Sequence, residues 1–222
     1  MSLTFQQIMK LMLSGLLETL YMTIISTAAA YIIGLPVGVL LTVTDKDGIK
    51  PNKTLNTSIG FVVNVLRSVP FIILLVAVMP ITRAIVGTTI GSSATVVPLV
   101  IAAAPYIARM VESSIKEVDR GVIEASHSMG ATTLQIVLKV LIPEAKPSLL
   151  LGAAISITTI LSYSAMAGFV GGGGLGDIAI RYGYNLGKTD VMLVMVVVLV
   201  AIVQLFQAFG GWFSRKNDRR IR

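Results

Sequence analysis

Two stretches of the sequence have the spacing of phosphate-binding loops. Within "VGGGGLGDIAIRYGYNLGKTD", Val170 to Asp190, Gly171, Gly173 and Gly176 follow the G-x-G-x-x-G of a dinucleotide turn, and Gly183 to Thr189, "GYNLGKT", falls one residue short of G-x-x-x-x-G-K-[ST]. A third candidate is hydrolytic: His127 stands between Ser126 and Ser128. Neighbours in sequence point to different faces of a helix, so that histidine has no serine aligned with it and reads as a surface residue. The chain has no Cys and one His, which removes thiol chemistry, disulfides and Cys- or His-rich metal sites. Paired buried carboxylates, a metal-ligand set and a base beside a nucleophile are all lacking, so no catalytic residue is assigned.

The elements around the glycines decide against a nucleotide. The 222 residues are 55% hydrophobic and 13% charged, about half the charge of a soluble domain. Uncharged runs cover 19–44, 54–66, 68–82, 84–108, 147–176 and 191–214. Four reach the roughly 20 residues that a helix needs to cross a bilayer. The two short runs are separated only by Arg67, so one span over 57–82 is the economical reading. The expected architecture is therefore all-α and polytopic: a single domain over 1–222, with spans near 17–44, 57–82, 91–111, 147–170 and 190–213 and a loop over 112–146. A cleavable signal peptide is disfavoured, because the first apolar run continues past the small residues Ala28 to Ala30 as far as Val43.

Lys and Arg orient these spans. Thirteen fall on the faces bearing the 1–2 loop, the 3–4 loop and the C-terminus; four fall on the opposite faces, with Arg67 left inside a span. The N-terminus is expected outside and the C-terminus in the cytoplasm. The formal charge of +7 then belongs to cytoplasmic faces and anionic lipid, with no nucleic-acid partner required. Val170 to Asp190 becomes an outer loop, where no nucleotide pool exists, and what precedes Gly171 is a membrane helix, whereas a dinucleotide turn must follow a strand. Tyr182 occupies the position of the phosphate loop's first Gly. The glycines instead end span 4, ahead of a polar and aromatic rim of Asp177, Arg181, Tyr182 and Tyr184.

The long cytoplasmic loop reads as two short helices around a hinge. Asp119 can cap the first and Gly130 end it; Thr132 or Thr133 can cap the second and Pro143 stop it. In "EASHSMGATTLQIVLKVLIP", Glu124, Ala125, Ser126, Gly130, Val140, Ile142 and Pro143 resemble the E-A-A-x-x-x-G-x9-I-x-L-P loop of the membrane-spanning subunits of bacterial ATP-binding-cassette importers. Ser126 replaces the second Ala, Val140 the Ile and Ile142 the Leu. "NVLRSVPFIILL", "LIPEA" and "YSAMAGFVGGGGLGDIAIRYGY" are most similar to the methionine-importer branch, and the likeness covers roughly 15–210. Related importers of polar amino acids and phosphonates share much of the loop.

The resemblance implies the type I importer fold and a homodimer of permease chains in the inner membrane. It also implies two ATPase subunits, which bind the ATP and Mg while this chain binds no cofactor, and a periplasmic or lipoprotein substrate-binding protein. Glu124, Ala125, Ser126, Gly130, Ala131 and Pro143 would form the coupling segment docked on the ATPase, and the chain itself would be no enzyme. The alternative for this segment is an amphipathic stretch lying on the bilayer.

A transported solute needs polar or soft side chains inside a span. Thr159, Tyr163 and Met166 in "SITTILSYSAMAG" share one helical face, and the thioether and ring suit a methionine substrate. "YSAM" is also the corresponding stretch in methionine permeases; helix packing by small residues is the alternative. Arg67 has two readings, a counter-charge in the pathway or a side chain snorkelling to the cytoplasmic side past the bend at Pro70. A secondary transporter is the rival function. The lack of a mid-membrane acid and of an inverted repeat speaks against it.

Overall fold

The computed structural model describes residues 4–217, which contain helices and no strand. The first helix, α1, runs over Phe5–Thr44, and its 40 residues make about 60 Å of helix, twice the hydrocarbon thickness. It therefore begins well before the expected residue 17. The reason is that Lys10 and Glu18 interrupt hydropathy without interrupting helix propensity.

Helix α5, Ser92–Lys116, lies at the centre, with more than half of its membrane window buried. Small residues make that possible. A Cβ on Gly34 would lie 2.7 Å from the Ala104 carbonyl oxygen, and one on Gly38 would overlap that of Ala108. A Gly-x-x-x-Gly stripe on α1 thus lies directly on an Ala-x-x-x-Ala stripe of α5, backbone against backbone, as bilayer helices require when no hydrophobic effect drives them together. Met22, Ala30, Leu99, Ile107 and Ile115 fill the adjacent core.

The expected span over 57–82 is not one helix. The chain forms α2 (Lys53–Ser68), α3 (Phe71–Ala77) and α4 (Met79–Val86), and α2 and α3 meet at 103°. Pro70 drives its predecessor out of the helical region, and Val69 accordingly sits at φ −83°, ψ 124°. Hydropathy counts apolar residues but not the direction of their axis, so a broken pair reads as a single span.

The fourth long helix, α9 (Lys146–Ala167), ends in one 3₁₀ turn, Gly168–Val170. Gly171, Gly173 and Gly174 then adopt φ of +76°, +79° and +78°, where other residues are strained. They reverse the chain into α10 (Gly174–Ile178) and a π-helical stretch, Ala179–Asn185, before α11 (Thr189–Asn217). The reversal is tight enough that a Cβ on Gly176 would overlap the Ala165 carbonyl oxygen. From α1, Glu18 Oε2 accepts the Gly174 N–H at 2.7 Å and Thr19 Oγ1 the Leu175 N–H at 2.9 Å. Glu18 is thus the cap that holds this turn. The rim residues Arg181 and Tyr184 are exposed on it, while Asp177 and Tyr182 are half-buried.

Helix α11 buries only 17% of its membrane window and presents Leu193, Val197, Val200, Leu205 and Phe209 outward, the surface of a lipid-facing helix. Arg219, Arg220 and Arg222, counted in the basic tail, lie outside the described residues.

Candidate functional site

Three residues after α5, the chain enters α6, Arg120–Ser128. Asp119 caps it, its carboxylate accepting the Gly121 N–H at 2.8 Å. At the other end Met129 N–H donates to Ala125 O, Gly130 N–H to His127 O and Ala131 N–H to Ser126 O at 2.9–3.2 Å, around Gly130 at φ +80°. That geometry is why the position is a glycine. Thr132 then starts α7, Thr133–Ile136, its hydroxyl paired with the Gln135 N–H and its N–H with Gln135 Oε1.

Within this segment the exposures divide the residues by role. Ser126 is buried and donates to the Val122 carbonyl at 2.8 Å, so it seats α6 from beneath. Glu124, Ala125, Gly130 and Pro143 are exposed and Ala131 half-buried. Met129 is 80% exposed and Leu134 66%, which leaves two large apolar side chains projecting from the surface of this segment. His127 and Ser128 are exposed too, and the Ser128 hydroxyl donates to the Glu124 carbonyl rather than meeting the imidazole.

Pro143 does not stop the second helix. The chain passes from α7 through a π-turn, Val137–Leu141, into α8, Ile142–Glu144, and almost directly into α9. A proline ring clashes with the carbonyl four residues back and offers no N–H; the wider π-turn just ahead of it absorbs both faults. The segment from α7 into α9 is therefore one nearly continuous helical rod, and α9 begins at Lys146, where the expected loop ends.

On the membrane side, Thr159, Tyr163 and Met166 occupy successive turns of α9. Thr159 spends its hydroxyl on the Ile155 carbonyl at 2.9 Å, and Met166 is 37% exposed. Tyr163 stacks on Phe71, with ring centroids 4.5 Å apart and planes 3° from parallel. Phe71 was not singled out from the sequence. Only the break at Pro70 swings the start of α3 against α9, and the signal available for it was the X-Pro-aromatic sequence at 69–71. Arg67 is exposed in the last turn of α2.

Charged groups also meet at the C-terminal ends of α1 and α5, a pairing that no spacing in the sequence marks. Asp45 lies 2.6 Å from Lys116, and that hydrogen bond holds its carboxyl below the usual aspartate value.

Residues 34–222 match the family described as the inner membrane component of binding-protein-dependent transport systems. The chain belongs to that family. The permease is 50% identical over 210 residues to a probable D-methionine transport system permease protein, MetI, of Vibrio cholerae, covering 95% of this chain and 93% of that one. It is 52% identical over 163 residues to the D-methionine transport system permease protein MetI of Escherichia coli K12, covering 73% and 75%. Its fold matches a chain of the inward-facing MetNI methionine ABC transporter with a TM-score of 0.95 at 49% identity, over 98% of this permease and all of that chain. An amino-acid ABC transporter solved with histidines matches at 0.78 and 21%, a likeness of fold. The all-α, type I importer architecture expected from the sequence is thus the one found, with the second span bent.

Proposed function

We propose that this chain is the translocating subunit of an ATP-driven methionine importer in the bacterial inner membrane. It would act as a homodimer with two ATPase subunits and an external binding protein, its N-terminus outside and its C-terminus cytoplasmic. The observation that carries this reading is the near-complete match to a chain of a methionine ABC transporter, at a TM-score of 0.95 and 49% identity. The surface of α6 and the turn after it supports it: exposed Glu124, Ala125 and Gly130 and half-buried Ala131, flanked by Met129 and Leu134, form a small-residue surface with apolar knobs, suited to lying in a groove of another protein. Pro143 belongs to the rod that joins this surface to α9, the helix that bears Thr159, Tyr163 and Met166.

In this mechanism the ATPase subunits bind ATP and Mg, close, and carry α6 with them. The rod through α7 and α8 transmits the movement as a rigid body, and the membrane helices alternate between openings. Met166 and Tyr163 offer a polarisable thioether and a ring to the methionine side chain. Arg67, within a broken span, serves either as a counter-charge in the pathway or as a side chain snorkelling past the bend at Pro70 to the cytoplasmic side. The chain itself hydrolyses nothing.

The test is reconstitution in sealed vesicles with the cell's cognate ATPase and binding protein. ATP-dependent uptake of methionine that requires all three components is expected, with competing polar amino acids leaving it unchanged. Uptake by the chain alone under a proton gradient would overturn the proposal.

A further inference from the structure

We infer that Glu112 and Arg109 are positioning residues that tie the coupling segment to α2, so that displacement of α6 is delivered to the break at Pro70. This rests on the coupling role proposed above for α6.

Glu112 is only 8% exposed, and each of its carboxylate oxygens has a partner. Oε2 accepts from Arg109 Nη1 at 2.6 Å and Oε1 from Lys116 Nζ at 2.8 Å. From there the contacts leave α5 in two directions. Lys116 reaches Asp45 Oδ2, at the exit of α1, at 2.6 Å. Arg109 Nη2 donates to Asn64 Oδ1 at 2.9 Å and to the Gly60 carbonyl at 3.3 Å, both on α2. Gly60 leaves the room for this, because a Cβ there would stand 3.3 Å from the same guanidinium nitrogen.

Two features make the tie mechanical rather than decorative. At one end only Glu117, Val118 and Asp119 separate α6 from α5, and Ile115 and Val118 share one buried apolar cluster with Ile136 and Leu141 of the rod. At the other end, α2 is held by a small apolar patch and by polar bonds. Only Gly60 and Val63 of its 16 residues are buried, and Val63, with Ile59, shares one apolar cluster with Leu41 and Ala108. The bonds from Arg109, with that from Asn56 Nδ2 to the Leu41 carbonyl at 2.7 Å, add to that hold. Beyond α2 lies the bend, and beyond the bend Phe71 on Tyr163. A carboxylate with two cationic partners holds Arg109 in the fork geometry that reaches α2; an amide would accept less strongly and leave the guanidinium free to swing.

The experiment uses the whole transporter in vesicles, with methionine uptake and ATP hydrolysis measured together. Glu112→Gln and Asn64→Ala should each raise the ATP consumed per methionine imported by about fivefold or more, the low end of common coupling energies, with assembly intact. Asn64 is exposed, so its variant reports even where Glu112→Gln lowers the yield of folded protein. A normal ratio in Asn64→Ala, or a lowered melting temperature with a normal ratio in Glu112→Gln, would make the network a stabilising one only and overturn the inference. Absence of ATP-driven methionine uptake in the unmodified protein would instead count against the proposed function.

Discussion

Gly130 is held at φ +80°, yet a Cβ there would meet nothing within 4 Å. Its constraint within the chain is therefore conformational alone. Gly130→Ala should insert and fold at a cost of about 1–2 kcal/mol, whereas Gly130→Asp, whose side chain tolerates the left-handed region, should fold as well but place a carboxylate on the docking face. The expected outcome for the Asp variant is normal amounts of membrane-inserted protein with ATP-driven uptake abolished, read by size-exclusion profile and transport assay. At the pathway the prediction is graded. Tyr163→Phe keeps the stack on Phe71, and Tyr163→Ala loses it together with about 0.5–1.5 kcal/mol. Met166→Ala removes a soft contact of about 0.3–1.5 kcal/mol, so methionine uptake at limiting substrate should fall roughly two- to tenfold with little change in ATP hydrolysis. Initial rates across methionine concentrations check both.

Among the elements, α1 approaches α5 closely through Gly34 and Gly38. Gly38→Leu would force a side chain into the Ala108 carbonyl and the Val111 side chain, overpacking that costs about 1–3 kcal/mol or separates the helices. Folded yield and melting temperature in detergent should fall well below those of Leu35→Ile, a swap of similar volume on the same helix. Here the sequence was only partly legible. Asp119, Gly130 and Thr132 act as the caps their types announce, because capping is settled by atoms within three residues. Two prolines were misjudged for the opposite reason. Pro70 was read as a bend within one span and makes a 103° break, while Pro143 was read as a stop and is carried through by a π-turn. Whether a proline breaks or merely strains a helix depends on what packs beside it, and no local pattern records that.

For the molecule as a whole, the orientation can be checked directly because the chain has no native Cys. A single cysteine replacing exposed Leu186, in the turn before α11, should react with a membrane-impermeant maleimide in intact spheroplasts. One replacing exposed His127 on α6 should react only after the inner face is opened. The reverse pattern would invert the assignment made from the basic residues. Of the sites themselves, the coupling segment was legible because its residues lie within one 20-residue run. The Phe71–Tyr163 stack joins residues 92 positions apart, and Glu18 caps a turn 156 positions away; neither pair is marked by spacing.

Hydropathy and the glycine-centred loop determined from sequence alone that the chain is an all-helical membrane protein of the importer-permease family. These are properties summed along the chain or fixed within a turn or two of it. Tertiary structure decided the rest: the break that sets α3 against α9, the caps of the four-glycine turn, and the guanidinium of Arg109 joining α5 to α2. In a bilayer, helices associate by backbone proximity and scattered polar bonds, and which surfaces meet follows from three-dimensional fit that a one-dimensional pattern of apolar residues does not encode.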